Sequence, residues 1–205
     1  MASKTRDVKD RSARIEAMRK EQQRQDRRSK VVIWSGAVLA VVLIGGGVGW
    51  AMVRSANAEK IDGLQTFDGL SSSHVQGTVN YPQTPPVGGN HAGVWLNCGI
   101  YASPVVNENA VHDLEHGAVW ITYRADLSKA DVSKLVAFAK GQTYLDLSPY
   151  PGLPAPVVAS AWGRQVRLTG PDDPRLQSFL KQFRLGKQSP EPGASCTGGV
   201  GTPTG

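Results

Sequence analysis

All four histidines of this 205-residue chain, His74, His91, His112 and His116, fall within 43 consecutive positions. Imidazole suits zinc, copper, iron or nickel as a ligand, and it moves protons near neutral pH. His112 and His116 are four residues apart. On a helix such residues share a face, so their ring nitrogens can meet on one ion. His91 closes the string PPVGGNH, whose paired prolines and glycines mark a constrained loop. We therefore expect His74, His91, His112 and His116 to form a transition-metal site, for copper or zinc. Met1, Met18 and Met52 all lie far from the cluster, which argues against a thioether-rich copper(I) site. The competing reading is a polar network in which the histidines bond to Asp113 and Glu115 and no ion takes part.

The string His112-Asp113-Leu114-Glu115-His116 also fits the H-x-x-E-H spacing of one class of zinc protease, in which Glu115 would polarise a zinc-bound water. Glu191 follows His116 at a separation like that of such an enzyme's third ligand. It sits, however, in the Pro/Gly string SPEPGAS rather than on a helix, and the domain is small. The enzyme question stays open and leans to no, with Glu115 the weak catalytic candidate. No Gly-rich phosphate loop, nucleophile elbow or paired CxxC motif is present. The two cysteines, Cys98 and Cys196, can form a disulfide that ties the C-terminal tail to the domain. Alternatively, Cys98 is a thiolate ligand beside the histidines.

The elements that must position these groups are legible in outline. Asn107–His116 reads as a short helix capped by Asn107 and stopped by Gly117. Ala118–Tyr123 reads as a strand. Ser128–Lys140 carries a capping box, Ser128 with Asp131, followed by apolar residues at helical spacing. Val157–Trp162 and Gln165–Leu168 read as two strands about a Gly163 turn. Asp173–Leu185 is amphipathic, with Pro174 in its first turn. The fold class expected is α+β, with a mixed or antiparallel sheet and two to three helices. The domain is expected over 68–186, after a connector at 54–67 and before a flexible tail at 187–205.

Upstream, Val31–Val53 is an uncharged apolar run bracketed by Lys30 and Arg54. Its length suits a single transmembrane helix better than a signal peptide. Residues 1–30 hold eleven basic and five acidic residues, which accounts for the whole formal net charge of +6. Basic flanks stay in the cytoplasm. That orientation puts residues 54–205 outside the cell and makes the lipid bilayer the partner of the basic tail, at about 1 kcal/mol per basic residue near an anionic surface. Because the excess charge lies beside the apolar run, it is no nucleic-acid footprint.

Residues 74–123, HVQGTVNYPQTPPVGGNHAGVWLNCGIYASPVVNENAVHDLEHGAVWITY, resemble the family called domain of unknown function 3105. The resemblance rests on HV…Y…PP.GG.H…W…G.Y and on the block E..VH.LEHG.V.I.Y, and it extends over about 60–186. It implies a bacterial plasma-membrane protein with one N-terminal span and an extracytoplasmic domain. It makes His74, His91, His112, Glu115, His116 and Gly117 pattern positions, and it assigns no catalysis. The functional expectation is a membrane-anchored, metal-binding envelope domain. The alternative is a non-catalytic module that docks an envelope or membrane protein.

Overall fold

The strand Val119–Tyr123, VWITY, is buried along its whole length. It carries apolar side chains to both faces of a sheet: Val119 and Ile121 join one core cluster, while Trp120 joins another. A strand covered on both sides reads as a near-continuous apolar run, which is why this one stood out in the sequence. In the computed structural model residues 60–204 are described, together with the isolated positions Arg24, Val42, Gly45 and Gly46. The expectations for the basic tail at 1–30 and the apolar span at 31–53 lie outside the described residues. Among the described residues no helix is long and apolar enough to cross a membrane.

In chain order the elements are β1 (Gln65–Thr66), α1 (Asn107–Glu115), β2 (Val119–Tyr123), α2 (Lys129–Ala139), β3 (Leu145–Pro149), β4 (Val157–Ala161), β5 (Arg164–Leu168) and α3 (Pro174–Phe183). The sheet order is β1-β5-β4-β2-β3. β2 and β3 pair in parallel, with Ile121 opposite Leu147, and the other pairings are antiparallel. The fold is thus α+β with a mixed five-stranded sheet and, among the described residues, three helices.

The helix signals operate much as their chemistry requires. Ser128 accepts a hydrogen bond from the Asp131 backbone N–H at 3.1 Å and donates its hydroxyl to Asp131 Oδ2 at 2.8 Å. Asp173 accepts from the Arg175 N–H at 3.1 Å, with Pro174 opening α3. Leu176, Phe179, Leu180 and Phe183 then bury one face of α3 against the sheet, each contributing about 1.5–3 kcal/mol. The expected cap at α1 differs. Asn107 is the first helical residue, and Val106 holds the cap position without a side-chain bond. Glu108 spends its carboxylate elsewhere, accepting from the Val79 N–H at 2.7 Å.

Three features depart from the sequence reading. β3 went unread because Asp146, Ser148 and Pro149 look like loop residues; here Asp146 and Ser148 are fully buried with polar partners, Gly99 N–H and Trp120 Nε1–H. The connector contributes to the domain: Ile61 enters the core and Gln65–Thr66 pairs with β5. The flexible tail expected over 187–205 is instead held in place through residue 204. Asn97 N–H donates to Val200 O at 2.8 Å, Val200 N–H to Trp95 O at 2.9 Å, and Thr204 N–H to Ile100 O at 2.7 Å. Those bonds are made by backbone groups, which any sequence possesses, so a polar composition does not reveal them.

Candidate metal centre

One helix end and two loop segments build the site. The last turn of α1 supplies His112 and Glu115, with His116 immediately after it. His74 and His91 come from segments joined as a parallel bridge, in which Val75 N–H donates to His91 O at 2.8 Å and His91 N–H to Ser73 O at 3.1 Å. The Pro85–His91 loop is pinned from the sheet: Gln165 Nε2 donates to Pro85 O at 2.9 Å and Gly163 N–H to Val87 O at 2.7 Å. Gly88, at φ +143°, passes so close to Leu70 and Trp162 that a Cβ would stand 2.7 Å from Leu70 Cδ1. Glycine is required there by space as well as by conformation.

Candidate ligand atoms of His74, His91, His112 and Glu115 all lie within 4.8 Å of one another, so this group can hold a metal ion. His91 Nε2 is 3.0 Å from Glu115 Oε2, and His74 Nε2 is 3.7 Å from the same oxygen. His116 stands beside this group, its Nε2 3.0 Å from that of His112. His91 is wholly buried, whereas the His74 side chain is 54 % exposed, so the group opens to solvent on the His74 side. Trp162 meets His91 edge-on at 5.9 Å, and Trp95 packs on His112 and His116 at 5.8 and 5.4 Å.

The second ring nitrogens are informative. His91 Nδ1 lies 2.7 Å from Gly89 O, His112 Nδ1 2.7 Å from Ala92 O, and His116 Nδ1 2.6 Å from Ser195 O. A carbonyl oxygen only accepts, so each Nδ1 carries the proton and donates. In the neutral rings each Nε2 therefore presents a lone pair inward. Burial holds His112 below the ordinary histidine pKa and the charges of His116 and His91 act the same way, against the Ala92 hydrogen bond and Glu115, which raise it.

Cys98 and Cys196 stand at disulfide distance, with Cα atoms 5.3 Å apart. Cys98 is not beside the histidines: its neighbours are Asp113, with Oδ2 4.0 Å from Sγ, and Asp146. These two buried carboxyl groups offer oxygens within 4.8 Å of each other, and burial, the chief cause, raises both above the ordinary carboxylate range. Sequence reasoning missed this pair, because Asp146 sat in an unread strand and Asp113 was taken as a partner of the histidines. Glu115, offered by the sequence as a base in one alternative and as a histidine partner in another, faces two imidazoles here.

Fold and site together define a small α+β domain with a histidine–carboxylate cluster at the end of its first helix. The chain belongs to the family described as protein of unknown function, DUF3105, whose model matches residues 74–198. No curated protein and no solved structure matches the chain.

Proposed function

We propose that this protein is a membrane-anchored, extracytoplasmic domain that binds a transition metal, zinc or copper in the divalent state, through His74, His91, His112 and Glu115. One observation carries the reading. His91 donates its Nδ1–H to Gly89 O in a hydrogen bond, which leaves a lone pair on Nε2, yet that Nε2 sits 3.0 Å from a carboxylate oxygen. Two acceptors at that distance repel unless a cation or an added proton lies between them. Backbone carbonyls that orient ligating imidazoles in this way are the usual outer shell of a protein metal site. Glu115 is thereby one of the ligands, which disfavours the hydrolase reading in which it is the base.

The envelope placement rests on sequence: the apolar run at 31–53, the basic residues before it and the pairing of the only two cysteines. A partner in the membrane or envelope is the companion proposal, since a metal-binding domain tethered at the membrane would receive or pass on its ion there.

The test is elemental analysis of the full chain purified in detergent without a polyhistidine tag, followed by titration with Zn²⁺ and Co²⁺. About one equivalent of bound metal, lost in His91→Ala, is the expected result. A chain that neither retains metal nor takes up either ion removes the proposal. A C-terminal reporter fusion that is active in the cytoplasm would remove the placement alone.

A further inference from the structure

The segment after α3 does more than wrap the domain. Glu191 N–H donates to Glu115 O at 3.0 Å and Gly193 N–H donates to His116 O at 3.0 Å. Residues 191–193 are thus latched onto the backbone of the two residues that end the ligand-bearing helix. Two residues further on, Ser195 O accepts a hydrogen bond from His116 Nδ1–H. The next residue is Cys196, at disulfide distance from Cys98, and Cys98 N–H donates to Cys196 O at 2.9 Å.

This path carries the Glu191 carboxylate over His116. Its Oε2 lies 3.9 Å from His116 Nε2, and its side chain is 62 % exposed. Because His116 has donated Nδ1–H to Ser195, its Nε2 offers a lone pair in the neutral ring. That lone pair faces His112 Nε2 at 3.0 Å and Glu191 Oε2 at 3.9 Å. Two imidazole nitrogens and a carboxylate oxygen therefore stand next to one another, with His112 shared with the group of four and Glu191 on the solvent side.

We infer that Glu191 is a metal-binding residue. With His116 it extends the buried cluster to solvent and takes a hydrated divalent transition cation of the Zn²⁺ or Co²⁺ kind. The donors are imidazole and carboxylate, without thioether or free thiol, and this set selects divalent ions over copper(I). The inference rests on the metal reading of the cluster and adds to it a ligand from the tail, Glu191, whose separation from His116 the H-x-x-E-H spacing had singled out.

The experiment uses the full chain in detergent, untagged and stripped of metal, titrated with Co²⁺ and followed by visible absorption, with Zn²⁺ in competition. Glu191→Gln is expected to weaken Co²⁺ binding on the order of tenfold and to alter the cobalt spectrum. Glu191→Asp, which keeps the carboxylate, is expected to recover most of the affinity. Wild-type affinity and spectrum in Glu191→Gln overturn the inference. So does weaker binding with an unchanged spectrum, which makes Glu191 a nearby charge and not a ligand. If wild type binds and His91→Ala does not while Glu191→Gln is unaffected, only the role of Glu191 fails. If wild type takes up neither ion, the metal reading fails first and takes this one with it.

Discussion

His112 and His116 face each other through their Nε2 atoms across 3.0 Å, and each ring donates its Nδ1–H to a backbone carbonyl, Ala92 for one and Ser195 for the other. Both rings are almost wholly buried. The i, i+4 spacing made the shared face legible, but burial changes what a substitution does. His116→Ala removes a ligand candidate and also strands Ser195 O. We expect the metal-free variant to lose about 1–3 kcal/mol, measured by urea denaturation, along with weakened Zn²⁺ binding. Unchanged stability together with unchanged binding would show that the pair is incidental.

Metal binding should depend on pH through the imidazoles. A ligating ring must be neutral, so acid competes with the ion. His112 is already held below its ordinary value, chiefly by burial, and is neutral at pH 7. Apparent Co²⁺ affinity is expected to fall as pH drops through the region near and below the unperturbed histidine value of about 6.5. For the metal-free chain the sign is the same. The depressed folded value means the unfolded chain binds the proton first, so stability is full above the unfolded value and declines as pH falls below it. A pH-independent affinity between pH 8 and 5 would exclude imidazole ligation.

The Cys98–Cys196 pair spans 98 residues and anchors the segment that orients His116. Cys98→Ser with Cys196→Ser is expected to cost about 2–4 kcal/mol, read from thermal or urea unfolding. Zn²⁺ affinity should fall with it, because Ser195 O is then held only by the backbone bonds around it. Retained affinity in a destabilised variant would separate the tail's structural role from any role at the site.

Asp113 and Asp146 are buried side by side, and burial raises both. A carboxyl group whose folded pKa lies above its unfolded value near 3.9 contributes stability at acid pH and loses it as pH climbs through the folded value. The metal-free wild type should therefore weaken toward alkaline pH. Asp113→Asn keeps the shape and removes one charge, so it should be more stable than wild type at pH 9 and lose that advantage at pH 5. Urea midpoints at the two pH values decide this, and an advantage confined to pH 5 would contradict the shared burial.

Local chemistry was enough to locate α2, α3, β2 and the β4–β5 hairpin, because caps, Gly163 and apolar periodicity act over a few residues. It was enough to name the histidines and cysteines as the groups with chemistry, since those types are few and clustered. β3 was hidden because Asp146 and Ser148 carry polar side chains into a buried strand, and their partners, Gly99 N–H and Trp120, lie far along the chain.

What the sequence determined by itself was the inventory: four imidazoles, a carboxylate between two of them, a constrained loop, a cysteine pair, and an apolar run behind a basic tail. Tertiary structure decided which of these meet. It brought His74 and His91 to the helix that holds His112 and Glu115, seated Ser195 O against His116, and carried Glu191 to the edge of the cluster. The physical reason is that these contacts are made across long sequence separations, many of them by backbone carbonyls. A carbonyl is present at every residue, so only the path of the folded chain can say which one accepts a hydrogen bond from a ring.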